Sequence, residues 1–164
     1  MRKADYWVIR KLRMIADYQF SADSGFCLFP AEIAASVSRR TGKVKEIRER
    51  GNHIGTLKPK SGTFSLSLEG ARRLLLKPNS PRIIVKNEFV SPISKGGNVF
   101  ARHVVEADES IRPGNEAIVL SEDSTLIAVG HSLLSGDEAK RFKRGIAIKV
   151  RRGVSAHDVS KNGP

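Results

Sequence analysis

The chain has 164 residues, of which 40% are hydrophobic and 28% charged, and its 29 Lys+Arg against 17 Asp+Glu give a formal charge of +12. That composition excludes a disordered polyampholyte, and a single cysteine, Cys27, excludes an intramolecular disulfide framework and a Cys-rich zinc site. No apolar run approaches the roughly 20 residues of a spanning helix, so the expected location is cytoplasmic, and the basic balance points to a polyanionic partner held by attraction and counterion release.

The charge is uneven. Residues 1–79 hold 16 Lys+Arg and 7 Asp+Glu, whereas residues 80–164 hold 13 and 10. Lys77-Pro78-Asn79-Ser80-Pro81 separates the halves, because two prolines and an Asn-Ser pair suit a turn and not regular structure. The expected organisation is a small N-terminal α+β domain over 1–79, a strand-rich domain over 80–153 and a flexible tail over 154–164.

Residues 6–20 read as an amphipathic helix with Val8, Leu12 and Ile15 on one stripe and Asp5 as a cap. Phe26-Cys27-Leu28-Phe29 reads as a short buried strand stopped before Pro30, with Cys27 a small hydrophobe. Residues 43–50 and 54–58 form a predicted hairpin centred on Gly51-Asn52. Over 63–68, Phe64, Leu66 and Leu68 alternate toward a core, and 69–76 turns helical with Arg72 and Arg73 outward.

Five strands are predicted in the second half, over 82–85, 99–105, 117–120, 126–131 and 146–151. A small, partly closed barrel would protect their edges. Residues 111–115 supply a tight turn, and Ser135 with Glu138 three positions on fits a capping box leading to Phe142.

Catalytic signals are weak. His53, His103, His131 and His157 share no metal-ligand spacing and have no nucleophile beside them, with His103 and His131 expected as partly buried strand residues. Glu106/Asp108 and Glu122/Asp123 fit solvated loops. No catalytic residue, metal site or cofactor is assigned. Lys95-Gly96-Gly97-Asn98 lacks the phosphate-loop pattern; as a turn its backbone could approach phosphate or ribose, helped by Lys95.

The basic segments say more. In 146–151, Ile146, Ile148 and Val150 share one strand face and Lys149 and Arg151 the other. Lys140, Arg141, Lys143 and Arg144 surround Phe142 just before, and Arg152 extends the run. Such a cluster can hold consecutive phosphates through charge-assisted bonds. Arg39, Arg40 and Lys43 form a second patch. The phenylalanines, Phe20, Phe26, Phe29, Phe64, Phe89, Phe100 and Phe142, sit in core-like patterns, so no base-stacking platform is expected. Backbone and shape recognition of structured RNA fits better.

At these motifs the second half resembles a PUA domain, in the version found at the C-terminus of archaeal tRNA-guanine (archaeosine) transglycosylase. The matching stretches are Lys95-Gly-Gly-Asn-Val-Phe-Ala-Arg, Ala107-Asp with Ile111-Arg-Pro-Gly-Asn-Glu, Ala128-Val-Gly, Leu134-Ser-Gly, and Phe142-Lys-Arg-Gly through Val150-Arg-Arg-Gly. Tyr18-Gln-Phe, Leu28-Phe-Pro, Ser38-Arg-Arg-Thr-Gly-Lys-Val, Gly55-Thr-Leu and Gly62-Thr-Phe-Ser-Leu-Ser-Leu-Glu-Gly-Ala-Arg-Arg-Leu resemble the small domain preceding PUA in that enzyme. The resemblance implies an α+β fold ending in a β pseudo-barrel that grips structured RNA, tRNA above all. It also implies that the base-exchanging barrel, with the family's catalytic aspartates and zinc ligands, lies outside this chain.

The expected function is therefore non-catalytic RNA binding as an accessory to tRNA modification, with a separate catalytic transglycosylase subunit as a possible partner. Two alternatives are an rRNA- or ribosome-associated factor and an RNA-modifying enzyme with an unrecognised site. Expected RNA contacts are Lys95, Gly96, Gly97, Arg102, Lys140, Arg141, Lys143, Arg144, Lys149, Arg151 and Arg152, with Arg39, Arg40 and Lys43 secondary.

Overall fold

A computed structural model of the chain describes residues 1–30 and 32–155; most of the expected tail, and His157 with it, lies outside the described residues. The chain divides into two compact units, Met1–Ser80 and Pro81–Pro164.

The first unit opens with β1 (Arg2–Lys3) and α1 (Tyr6–Gln19). Asp5 caps α1, its carboxylate accepting the Val8 N–H at 2.9 Å. The buried stripe is Ile9, Leu12 and Ala16, rotated from the expected Val8, Leu12 and Ile15. The rotation follows from α2 (Ser24–Leu28), which closes on α1 backbone to backbone: a Cβ on Gly25 would lie 2.5 Å from the Arg13 Cα. The segment expected as a strand is thus a short helix. Asp17 accepts the Gly25 N–H at 2.7 Å and the Phe29 N–H returns to the Gly25 carbonyl at 2.9 Å, and these local bonds leave nothing for a sheet partner.

Then come β2 (Ala34–Val37), β3 (Val44–Glu49), β4 (Asn52–Leu57), β5 (Phe64–Leu66) and α3 (Leu68–Leu74). The sheet is an antiparallel meander in the order β1-β2-β3-β4-β5. The β3–β4 hairpin turns at Arg50 and Gly51, both with positive φ as a two-residue primed turn requires, one residue before the expected Gly51-Asn52 centre, because Asn52 already pairs with Glu49 in the ladder. Phe64, Leu66 and Leu68 are all buried as their alternation implied, but the strand ends at Leu66 and Ser67 caps α3 through the Gly70 N–H at 3.0 Å. Arg72 is exposed, whereas Arg73 turns inward: its guanidinium pairs with Glu49, meets Glu69 at 3.1 Å and reaches the Leu28 carbonyl at 3.5 Å.

The second unit contains β6 (Arg82–Val85), α4 (Val90–Ser94), β7 (Val99–Phe100), β8 (Val104–Ala107), β9 (Glu116–Ser121), β10 (Leu126–Ser132), α5 (Gly136–Arg141) and β11 (Ile146–Gly153). Its six strands run in the order β7-β11-β10-β9-β6-β8, with β6 and β9 parallel and the other pairs antiparallel. The single strand expected over 99–105 is broken in two by a 3₁₀ turn at Ala101–His103. This break closes the barrel. The outermost strands, β7 and β8, are consecutive in the chain and joined by only those three residues, so the sheet must curl to bring its edges together. Ile83, Val85, Ile93, Val99, Val119 and Ile148 are among the side chains filling the interior. The expected capping box forms at α5, with the Ser135 N–H donating to Glu138 at 2.8 Å and the Glu138 N–H to the Ser135 hydroxyl at 3.2 Å.

Candidate functional site

The turn that closes the barrel depends on His103. Its ring is buried, stacks on Phe89 with centroids 3.8 Å apart, and accepts the Phe100 N–H on Nδ1 at 3.2 Å. Only an unprotonated Nδ1 can accept. In agreement, burial first, then the Arg102 and Lys86 cations, push the His103 pKa below its ordinary 6.5, against a smaller opposing pull from Glu88. The folded state thus resists protonation more than the unfolded state does. The stability this contributes is complete above pH ~6.5 and is lost as pH falls toward the depressed folded value. Thermal melting between pH 8 and 5 is expected to show a decline of the second unit below pH ~6.5, and His103→Gln should flatten it.

Three exposed turns flank the β7–β11 pair. The first is Lys95-Gly96-Gly97-Asn98, after α4. Gly96 has φ +106, and a Cβ on Gly97 would sit 2.8 Å from the Pro92 carbonyl oxygen, so only glycines make this turn at this depth. Asn98 fastens it to β11 by accepting the Val150 N–H at 3.1 Å. The second is the 3₁₀ turn carrying Arg102, whose guanidinium lies 5.7 Å from the Phe100 ring centre. The third holds Lys143 and Arg144, ending at Gly145, whose carbonyl accepts the Ala101 N–H at 2.9 Å. Phe100 pairs with Ile146 in the ladder, so the second and third turns adjoin.

Among the expected contacts the structure separates two electrostatic classes. Lys95, Arg102, Lys143, Arg144, Lys149 and Arg152 are exposed, with no carboxylate partner among the described residues. Lys140 instead meets Glu109 at 3.4 Å, Arg141 meets Asp137 at 3.3 Å, and Arg151 makes a two-pronged pair with Glu116 at 3.0 and 2.6 Å. The Glu116 side chain is only 1% accessible, so Arg151 neutralises a buried charge. Arg39, Arg40 and Lys43 lie in the first unit, in the exposed turn between β2 and β3, where the Ser38 hydroxyl accepts the Thr41 N–H at 3.3 Å.

The expectation that the aromatics are core residues fails at three phenylalanines: Phe26, Phe100 and Phe142 are 62%, 37% and 47% exposed. Phe100 and Phe142 therefore belong to the cationic edge. The sequence signal was their adjacency to Arg102 and to Lys143-Arg144, which an apolar pattern alone obscures. The carboxylates are used locally: Asp108 accepts from the Ser110 N–H at 2.8 Å, and Glu122 from the Asn87 N–H at 3.0 Å. The Ser121 hydroxyl holds the exposed Asp123 carboxyl below its ordinary pKa. Among the described residues, no three of His, Cys, Asp and Glu gather as a metal-ligating group, and no helix is long and apolar enough to cross a membrane.

Residues 10–81 match the patch-forming domain C2 of tRNA-guanine transglycosylase and residues 81–154 match the PUA domain. The tRNA-guanine(15) transglycosylase of Thermococcus kodakarensis is 40% identical over 142 residues, covering 85% of this chain and 24% of that protein. Its counterpart in Thermoplasma acidophilum is 36% identical over 148 residues, covering 88% and 23%. The chain thus spans about a quarter of the length of these curated relatives. In fold, it is similar over 99% of both chains to a hypothetical protein from Pyrococcus horikoshii (TM-score 0.71, 19% identity) and to a conserved PUA domain protein from Thermoplasma acidophilum (TM-score 0.67, 18% identity). The chain therefore joins a transglycosylase-type C2 domain to a PUA domain and is homologous to the C-terminal region of the archaeal tRNA-guanine(15) transglycosylases.

Proposed function

We propose that the chain binds structured RNA, tRNA in the first place, as a non-catalytic module that presents it to a modification enzyme whose catalytic domain is carried on a separate chain. The observation that carries this reading is the adjoining pair of exposed turns that present Arg102, Lys143 and Arg144, with no carboxylate partner among the described residues, on a PUA domain homologous to the C-terminal region of tRNA-modifying enzymes. Turns of this kind meet phosphates and ribose with side-chain cations and backbone N–H groups, and the rigid barrel fixes their spacing to the shape of a folded RNA. The homologous region excludes the relatives' catalytic part, which supports a binding role over a catalytic one.

The test is a titration with folded tRNA at several salt concentrations. Saturable binding is expected, tighter than to duplex DNA of equal length. Lys143→Glu with Arg144→Glu should weaken it at least tenfold and make the dependence of log K on log salt shallower by about 1–2. Equal affinity for duplex DNA, or an unchanged salt slope, overturns the reading. Co-purification from cells, followed by identification of the RNA and protein recovered, tests the separate catalytic chain; rRNA in place of tRNA would favour a ribosomal role.

A further inference from the structure

The first unit carries a second, chemically different surface. At about 100° per residue, the buried stripe of Ile9, Leu12 and Ala16 leaves Tyr6, Arg10 and Arg13 on the flank of α1 that faces α2, with Trp7 beyond them. Burial does not explain these aromatics: Tyr6 is 68%, Trp7 70% and Phe26 62% exposed. Tyr6 and Phe26, together with Met14, Arg10 and Arg13, border a groove of about 640 Å³, and Trp7 stands at its rim.

The groove is held in shape by bonds that its exposed rings do not make. Gly25 permits the contact of α2 on α1, Asp17 takes the Gly25 N–H, and the Arg13 Nε donates to the Phe29 carbonyl at 2.8 Å. Arg13 then lies 4.3 Å over the Phe26 ring, Arg10 lies 5.8 Å from the Trp7 ring, and Tyr6 meets Trp7 edge-on at 5.4 Å. The lining sets two guanidiniums, Arg10 and Arg13, against one carboxylate, Asp17, so its net charge is positive.

We propose that this groove binds unstacked nucleotides of single-stranded RNA, the bases lying on the exposed Tyr6 and Phe26 rings or on the guanidinium planes, and the phosphates meeting Arg10 and Arg13. Planar exposed rings interleaved with cations match an anionic ligand with planar apolar groups, and the volume accommodates one or two nucleotides. The inference rests on the reading of the chain as an RNA-binding protein and adds a site for an unpaired segment, separate from the cationic edge of the second unit.

Trp7 is the chain's one tryptophan and touches two lining residues, Tyr6 at 5.4 Å and Arg10 at 5.8 Å, so its fluorescence reports on the groove through them. Titration of the full chain with a short oligoadenylate is expected to quench Trp7 saturably. An RNA duplex of equal length should act at least tenfold more weakly, and polyglutamate not at all. Phe26→Ala and Arg10→Glu should each weaken the oligoadenylate response by about tenfold; Arg10 is exposed, so its reversal keeps the test valid if loss of Phe26 disturbs folding. Lys143→Glu with Arg144→Glu should leave the response unchanged. Saturable tRNA binding with no Trp7 response to oligoadenylate overturns this inference alone, whereas loss of both overturns the RNA-binding reading as well. A preference for polyglutamate marks the groove as a protein-docking site and overturns the inference.

Discussion

Replacing Arg151 by alanine is expected to cost the second unit about 2–3 kcal/mol of stability. Glu116 opens β9 with its side chain 1% accessible, and Arg151 crosses from β11 to meet both of its oxygens. The two strands flank β10, in which His131 is the residue paired with Glu116. Removing one partner of a buried pair strands the other charge, at a typical cost of about 3–5 kcal/mol. The figure here is set lower because the Arg151 side chain is 34% exposed and water can reach the carboxylate once it is gone. Thermal melting checks the value. Replacing both residues by leucine should recover more than half of the loss, since an apolar pair leaves no stranded charge. A phosphate contact with no structural role would show the opposite pattern, leaving melting unchanged while weakening RNA binding. At a temperature where both proteins are folded, Arg151→Ala should reduce tRNA affinity less than reversal of Lys143 and Arg144 does.

Arg151 also marks the boundary of what the sequence can say. Its place on the polar face of β11 followed from alternation with Ile148 and Val150, a local property. Its partner is 35 residues away on a strand that is not its neighbour, and no local pattern carries that information. Features set by adjacent residues were legible in the same way: the Asp5 cap, the Ser135–Glu138 box, the β3–β4 hairpin and the alternation of Phe64, Leu66 and Leu68 toward the core. Features decided by tertiary competition were not. The apolar run from Phe26 to Phe29 is equally compatible with a strand or a helix until Asp17 and Gly25 fix its backbone. The stretch from Val99 onward reads as one strand, yet His103 turns inward onto Phe89 and breaks it, and that break lets the barrel close. At the candidate site the cations were visible as charge runs. Which of them face solvent unpaired depended on Glu109, Asp137 and Glu116, each brought in by folding.

Gly70→Ala is expected to be among the most damaging single-methyl changes in the first unit, with a loss of about 3 kcal/mol. Alanine is a better helix former than glycine by about 1 kcal/mol, so propensity alone favours the substitution in α3. The tertiary contact decides otherwise. A Cβ at Gly70 would overlap the Ile54 carbonyl oxygen and press on the Leu66 side chain at 3.3 Å. That carbonyl is held by Ser67, accepting both its N–H at 3.1 Å and its hydroxyl at 2.9 Å, while Ile54 itself is fully buried in β4. Neither partner has room to retreat. Accommodation requires α3 to lift from β4, which would uncover Leu68, Ala71 and Leu74 and pull Arg73 from its carboxylates. Overpacking a built core costs about 1–3 kcal/mol, and the loss of helix contact places this case at the upper end. Denaturant unfolding should show the loss in the transition of the first unit, whereas the neighbouring exposed change Arg72→Ala should stay within about 0.5 kcal/mol of the parent. Equal stability of Gly70→Ala and the parent would mean that α3 does not sit on β4 at this distance.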